Sequence, residues 1–192
     1  MIIEGLLTTV DAAGRLNVAP MGPIVHADFQ QLTLRPYRGT TSFRNLMDTR
    51  QGVFHVVDSI GVMAAAAIGR LTELPATVPA QHVTGRVLDD CCRWFEFRIT
   101  DVDTTHERSE MAADVVHTGT RRPFGGFNRA RHAVIEMAIL ATRLHLLPQD
   151  DVEVALKFLT PAVEKTGSAE EIAAFEMLRQ HVRRFYAQEQ SA

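Results

Sequence analysis

Short extended runs fill the first two thirds of the chain, and glycine- or proline-containing turns separate them. The runs at 3–10 and 16–25 flank the turn signal Asp11-Ala12-Ala13-Gly14 and predict a β-hairpin. Further strand-like runs lie at 31–35, 52–57, 83–88, 94–102 and 111–116. Short strands at this spacing, without regular helices between them, indicate a β-barrel or sandwich over a doubly wound fold.

The run at 94–102 shows the clearest alternation. Phe95, Phe97 and Ile99 alternate with Glu96 and Arg98. Side chains alternate between the two faces of a strand, so this pattern predicts one face in the core and one face in water.

Helical periodicity replaces the strand pattern after the segment Pro123-Phe124-Gly125-Gly126. Asn128 predicts the start of a helix that runs to residue 147, and a second helix is predicted over 150–160, where Pro161 must kink or break it. Ser168-x-x-Glu171 is a capping box that begins a third helix ending near residue 186. We therefore predict a mainly β domain over 1–122 and a helical C-terminal region over 123–192.

Two shorter features of the β-rich part complete this prediction. Asp58-Ser59 is expected to cap a short helix that runs to Ile68, and 71–79, which contains two prolines, is expected to be a loop.

Charge and cysteine usage restrict the partners and the compartment. The 192 residues carry a formal net charge of −3, which argues against a general nucleic-acid binder. Four arginines nevertheless lie within 35–50 and four within 121–131, and such local clusters favour a small anion such as a phosphate. The longest small-apolar run, 62–68, is too short for a membrane helix. The two cysteines, Cys91 and Cys92, are adjacent and unsuited to a structural disulfide, so we predict a cytoplasmic protein.

The segment Arg35-Pro36-Tyr37-Arg38-Gly39-Thr40-Thr41-Ser42-Phe43-Arg44-Asn45-Leu46 is the first candidate site. A strand ends in arginine, a glycine permits a close turn, and three hydroxyl residues precede a helix start. Amides at a helix N-terminus, hydroxyl donors and a guanidinium together can bind a phosphate. The spacing matches neither a Walker loop nor a dinucleotide fingerprint, and a polar turn that merely caps a helix remains the alternative.

Two further segments have weaker signals. Asn17-Val18-Ala19-Pro20-Met21-Gly22-Pro23 is an extended run with two prolines, so it belongs at a sheet edge or a bulge, where exposed backbone offers a flat ring a surface. Phe124-Gly125-Gly126-Phe127-Asn128-Arg129-Ala130-Arg131-His132 is glycine-rich and basic. An ordinary bulge and a linker before a capped helix are the respective alternatives.

Standard catalytic constellations are weak in this sequence. The eight histidines form no metal-binding pair at helical spacing, so we predict no metal site. No Gly-x-Ser-x-Gly elbow occurs. Glu136 lies within an apolar helical face, where it is either a catalytic acid or a buried partner of an arginine such as Arg143. The catalytic residues therefore stay unassigned.

Taken together, the segments at 17–22, 35–46 and 126–130, followed by Thr142-Arg143-Leu144, resemble an uncharacterised bacterial and archaeal family of the FMN-binding split-barrel superfamily. That superfamily also contains flavin reductases and pyridoxamine-phosphate oxidases. The resemblance covers nearly the whole chain, and the Gly-Phe-Asn-Arg-Ala segment is its most specific part. It implies a split β-barrel followed by a helical region, with FMN bound at a homodimer interface.

The resemblance also implies a set of cofactor-binding residues. The phosphate would be bound by Arg35, Thr40, Thr41 and Asn45, and the flavin ring would lie along the backbone of Ala19, Pro20 and Met21. Asn128 and Arg129 would approach the cofactor, either from the same subunit or from its partner. The full expected set adds two neighbours: Asn17 on the same extended run, and Tyr37, which either stacks on the flavin or supports the loop.

A flavin supplies its own redox chemistry, so an acid–base constellation is not required. The leading hypothesis is an FMN-dependent, flavin reductase-like oxidoreductase that exchanges hydride with a nicotinamide or a pterin-like molecule. The alternative is a flavin-binding carrier or interaction protein without turnover.

Overall fold

The computed structural model describes residues 1–189, and the chain divides into two compact units. The first unit comprises Met1–Asp58 and Leu74–Phe124, and the second comprises Ser59–Glu73 and the chain from Gly125. The short segment 59–73 thus folds with the helical region and not with the strands that flank it in sequence.

Antiparallel strands form the first unit. Within residues 1–124 they are β1 (Gly5–Val10), β2 (Leu16–Met21), β3 (Ile24–Val25), β4 (Gln31–Leu34), β5 (Gln51–Val56), β6 (Thr77–Pro79), β7 (Arg86–Leu88), β8 (Arg93–Asp103) and β9 (Glu110–Thr120). In this described part, seven of them pair in the order β2-β1-β5-β8-β9-β4-β3, and β6 and β7 form a separate hairpin. One helix, α1 (Thr41–Thr49), connects β4 to β5.

The two edge strands of the large sheet are neighbours in the chain, and this forces the sheet to curl. Only Gly22 and Pro23 separate β2 from β3, although the two strands lie at opposite ends of the strand order. Since three residue steps span about 11 Å at most, the two edges must approach each other. Ile2 pairs with Ile24, and the Val25 amide donates to the carbonyl of Met1 at 2.7 Å, which joins the N-terminus to β3. The result is the predicted split β-barrel.

The barrel interior contains the alternating apolar residues of these strands. Leu32 and Leu34 of β4, predicted on one face, are both buried, as are Phe95 and Phe97 of β8. Each such side chain contributes roughly 1.5–3 kcal/mol on burial, so the period-two pattern fixes the register of each strand. The hairpin turn after β1 also has its predicted form, because Gly14 adopts a φ of 79° and the Asp11 carboxylate accepts from the amides of Ala13 and Arg15.

The prediction of one wet face on β8 is wrong at Glu96, which is fully buried. Its carboxylate accepts hydrogen bonds from the amides of Gln81 (3.0 Å), His82 (2.6 Å) and Val83 (3.2 Å) and from the Trp94 indole (3.3 Å). Desolvation raises the pKa of Glu96, but the bonds from Gln81 and His82 outweigh it, so the pKa lies below its ordinary value. The 80–85 loop covers this face, and sequence alternation alone does not reveal such a loop.

Two further expectations for the first unit need correction. The stretch 71–79 is not all loop, because β6 occupies Thr77–Pro79 and pairs with β7. Asp58 does not cap the helix that follows it. It forms an ion pair with Arg122 at 2.5 Å instead.

The second unit is helical throughout its described part, which ends at residue 189. It contains α2 (Gly61–Ala67), α3 (Arg129–Ala141), α4 (Gln149–Thr166) and α5 (Ala169–Glu189), with a short 3₁₀ turn at Leu144–Leu146. The Glu170 carboxylate accepts from the Ser59 hydroxyl and from the amides of Ile60 and Gly61, at 2.9–3.0 Å. A carboxylate from α5 therefore caps α2, which ties 59–73 to this unit. None of the helices in residues 1–189 is long and apolar enough to cross a membrane.

Helices α3 and α5 begin at the predicted caps, but α3 and α4 do not end where the sequence predicted. Asn128 caps α3, and the predicted capping box begins α5: Glu171 accepts from the Ser168 amide, and the Ser168 hydroxyl accepts from the Glu170 amide at 3.3 Å. The first predicted helix ends at Ala141 and not at 147, and α4 runs through Pro161 without a break. Pro161 lies on the exposed side of α4, as does Lys157, whose carbonyl loses its helical donor there. Water can solvate that carbonyl, so the proline is tolerated.

We expect the substitution Glu96→Gln to lower the free energy of unfolding by about 2 kcal/mol at neutral pH, because the amide would place a donor against backbone donors. Because the folded-state pKa of Glu96 is depressed, its stabilisation is full above the unfolded value of about 4.3. It is lost as the pH falls through the folded-state pKa, so the difference between the two proteins should shrink there. Chemical denaturation at several pH values measures both effects. The exposed Glu110→Gln is the matched control, and an equal loss in both variants would contradict the burial argument.

Candidate functional site

The N-terminus of α1 is the centre of the candidate site, and the turn that precedes it is firmly anchored. The Pro36 carbonyl accepts from both the amide and the hydroxyl of Ser109, at 3.2 and 2.8 Å. Thr40 is the N-cap of α1: its hydroxyl oxygen accepts from the Phe43 amide at 3.2 Å and donates to the Tyr37 carbonyl at 2.8 Å. The predicted helix start is therefore confirmed, and the turn from β4 into α1 is held in one conformation.

The first turn of α1 has the properties of an anion site. The amides of Thr41 and Ser42, at its first two positions, have no acceptor within the helix, and the positive end of the helix dipole lies there. The Thr41 hydroxyl accepts from Arg44 at 3.0 Å, which directs that guanidinium toward the same turn. Acidic residues are absent from this first turn.

Four arginines lie on this turn or on segments that contact it, and we call Arg35, Arg38, Arg44 and Arg108 the arginine cluster. Their contacts are mostly to backbone carbonyls: Arg44 to Gly39 at 3.1 Å, Arg38 to Thr104 at 3.4 Å and Arg108 to Arg35 at 3.0 Å. The Arg35 Nε is buried and has no hydrogen-bond partner among residues 1–189. In the same range, none of the four forms an ion pair with a carboxylate. Positive charge without a protein counter-ion favours an external anion.

Arg108 belongs to this cluster although the sequence did not single it out. It lies in the turn between β8 and β9, within an acidic stretch of sequence, and its guanidinium stands 5.6 Å from the Tyr37 ring centre. The pairing of Tyr37 with Arg108 brings that turn against the loop. Predicting Arg108 would have required predicting the pairing of β8 with β9, which no local sequence motif indicates.

Asn17 and Asn45, both expected near the cofactor, meet in a polar network beneath α1. Asn17 donates to the Ser42 hydroxyl at 3.0 Å, and Asn45 donates to the Thr9 hydroxyl at 3.0 Å. Asn45 is only 4% exposed, so its observed role is to fix α1 on β1. The network connects the run at 17–21 with the N-terminus of α1, two segments that lie about twenty residues apart in the sequence.

Strand β2 lies at an edge of the sheet, as its prolines predicted. Ala19, Pro20 and Met21 pair with Leu7, Leu6 and Gly5 of β1, and no strand within residues 1–189 pairs with their other side. All three residues are half-buried. The outer backbone of this edge is therefore available to a flat ligand, a second chain or both.

Tyr37 is 48% exposed and contacts the guanidinium of Arg108. Together with the Thr40 bonds to its carbonyl, this contact shows that Tyr37 supports the loop. Its exposed ring face remains available for a ligand.

Asn128 and Arg129 lie in the second unit, at the start of α3. The Asn128 side chain caps α3: its oxygen accepts from the amides of Ala130 and Arg131, and its nitrogen donates to the Thr166 carbonyl at 2.9 Å. Arg129 is exposed, and its side chain has no hydrogen-bond partner among the residues described. Phe127, two residues before Arg129, is 90% exposed. Of the two, Arg129 has the side chain that a ligand can reach.

Other reactive groups are poorly placed for chemistry. Cys91 and Cys92 are buried free thiols; desolvation raises the pKa of Cys91 to about 11 and also raises that of Cys92. Burial lowers the pKa of His55 to about 4, and its ring bonds to the backbone of Leu6 and Leu88. Glu136 is exposed, so the expectation of a buried arginine partner is wrong.

Two family models match the chain. The model described as "Protein of unknown function (DUF447) N-terminal domain" matches residues 3–122, and the one described as "Protein of unknown function (DUF447)" matches residues 128–180. No curated protein matches.

Solved structures share the fold. An FMN-bound DUF447 protein of Methanosarcina mazei superposes with a TM-score of 0.76 at 19% identity, over 94% of each chain. An FMN-binding protein of Thermus thermophilus, with bound p-hydroxybenzaldehyde, gives 0.54 at 12% identity over 65% of this chain and 75% of that one. Flavoredoxin of Desulfovibrio vulgaris gives 0.51 at 12% identity over 62% and 70%. At these identities the likeness establishes the split-barrel fold.

Proposed function

The chain belongs to the DUF447 family, and from this premise we propose that it is an FMN-binding flavoprotein that acts as a flavin reductase-like oxidoreductase. The arginine cluster at the N-terminus of α1 is the observation that carries the proposal. The FMN-bound relative of Methanosarcina mazei supports the choice of flavin.

The residues present fit a phosphate dianion. The Arg35 Nε is a buried donor without an acceptor, and an unsatisfied donor of this kind costs free energy unless a ligand supplies the acceptor. The Thr41 and Ser42 amides add donors, and Arg38, Arg44 and Arg108 add charge without protein carboxylates. FMN is favoured over FAD because the site offers one phosphate position without the glycine-rich fingerprint of a pyrophosphate site.

The flavin ring is proposed to lie along the outer backbone of Ala19, Pro20 and Met21. The Asn17–Ser42 hydrogen bond, at 3.0 Å, connects this strand to the α1 N-terminus where the phosphate would bind. Backbone carbonyls and amides at a strand edge can hydrogen-bond the polar rim of a flavin, while Pro20 leaves one position without a donor. Tyr37 would border the site from the other side of the turn.

Bound FMN supplies hydride and electron transfer, so the protein must bind it, orient it and control access. The proposed roles follow from the contacts: Arg35 and the α1 amides hold the phosphate, and Asn45 and Thr9 hold α1 in place. The β2 backbone orients the ring. The partner substrate is proposed to be a nicotinamide or a pterin-like molecule, which would approach the open face of the ring.

We further propose that the protein is a homodimer with FMN at the interface. The outer edge of β2 carries unpaired backbone groups, and proteins usually cover or protect such edges. The exposed side chain of Arg129 has no partner among residues 1–189, and the exposed Phe127 lies two residues before it. In the proposed dimer it completes the site of the other subunit.

The substitution Arg35→Ala should weaken FMN binding by about 10- to 150-fold, because a charge-assisted bond to phosphate contributes roughly 1.5–3 kcal/mol. Fluorescence titration of the flavin-free protein measures the change, and circular dichroism checks that the variant folds. The control is Arg15→Ala, which removes an exposed arginine paired with Asp11 in the β1–β2 turn. A change within about twofold in both variants would refute the assignment of Arg35.

Complementation tests whether Arg129 acts across the interface. Arg35→Ala and Arg129→Ala chains, each expected to lose FMN alone, should regain about half of the sites in a mixed dimer when co-expressed under two affinity tags. One site of that dimer is intact and the other carries both lesions. Co-expression of two differently tagged Arg35→Ala chains is the control. If Arg129 acts within its own subunit, every site carries one lesion and no FMN returns; a stable monomer with full FMN occupancy would overturn the dimer itself.

A further inference from the structure

A groove between α4 and α5 has no role in the flavin site. Both helices pack mainly against α3 and touch each other little, so a cavity of about 400 Å³ remains between them. This volume lies in the range of small-molecule pockets. Its lining includes Leu156, Lys157, Arg179, Val182, Arg183 and Tyr186.

The charges that line this groove are mostly positive. The side chains of Lys157 and Arg183 have no hydrogen-bond or ion-pair partner among residues 1–189. Arg179 pairs with Glu176 through one terminal nitrogen, but its Nε is buried without a partner. The one carboxylate of the lining, that of Glu153, accepts from Gln149 at 2.7 Å. Three positively charged side chains therefore line the cavity, and each has hydrogen-bond donors that lack an acceptor among the described residues.

The rest of the lining is apolar. Val182 and Tyr186 are buried, and the Tyr186 hydroxyl donates to the Leu147 carbonyl at 2.9 Å, which leaves the ring as a fixed wall. Leu156 faces them from α4 and is half-buried. An apolar wall beside a few convergent charged groups is the usual composition of a ligand site.

We propose that this groove binds a small organic anion, with its carboxylate, phosphate or sulfonate on Arg179, Arg183 and Lys157 and its apolar body against Leu156, Val182 and Tyr186. The site lies wholly within the second unit, and it is independent of the flavin proposal. It gives the helical region a binding role of its own.

A matched pair of probes tests the proposal on the full-length protein. Anilinonaphthalene sulfonate carries an anionic group on an aromatic body, and phenylnaphthylamine has the same rings without the charge. Calorimetric titration in the presence of saturating FMN should show the sulfonate binding with about one site per chain and at least about 10-fold more tightly than the neutral probe. The FMN keeps both probes out of any flavin site.

The variants locate the binding. Arg183→Gln and Arg179→Gln should each weaken the sulfonate by about 10-fold and leave the neutral probe within about twofold. Arg184→Gln is the control, because it removes the same charge from the next residue of α5, which does not line the groove. No saturable binding of the sulfonate, or an equal loss in Arg184→Gln and Arg183→Gln, would overturn the proposal.

Discussion

The closure of the barrel is the constraint on which the candidate site depends. Because only Gly22 and Pro23 join β2 to β3, the two edges of the seven-stranded sheet described here must come together. The pairing of Ile2 with Ile24 holds them there. Closure lets α1, which follows β4 near one edge, pack on β1 and β2 near the other. The bonds of Asn17 to Ser42 and of Asn45 to Thr9 are the direct consequence. Without closure, the proposed phosphate-binding turn and the proposed ring-binding strand would lie at opposite ends of an open sheet.

The sequence predicted features that depend on neighbouring residues and missed features that depend on distant ones. The alternation of Leu32 and Leu34 and the capping box at Ser168 are local, and both were confirmed. Glu96 was placed in water because its strand alternates, but a loop around residue 82 buries it and satisfies it with backbone donors. Similarly, no local pattern predicts that Glu170 caps α2 across more than a hundred residues.

For the candidate site, the sequence located two segments and the fold joined them. Neither the edge strand at 17–21 nor the turn at 35–41 identified a binding site by itself. The polar network under α1 brings the two segments together. Arg108 was not predicted because it lies in an acidic stretch of sequence. It reaches the arginine cluster only because β8 pairs with β9. Asn128 caps α3 as its sequence position predicted, and its bond to the Thr166 carbonyl is a distant contact that no local pattern indicates.

The central claim is that the arginine cluster and the α1 N-terminus recognise the phosphate of a flavin mononucleotide. Calorimetric titration of the flavin-free protein with FMN and with riboflavin tests it most directly, since the two ligands share the ring and differ in the phosphate. The account predicts that FMN binds at least about 100-fold more tightly, as expected when several charge-assisted bonds are lost together. Equal affinities for FMN and riboflavin would contradict the account.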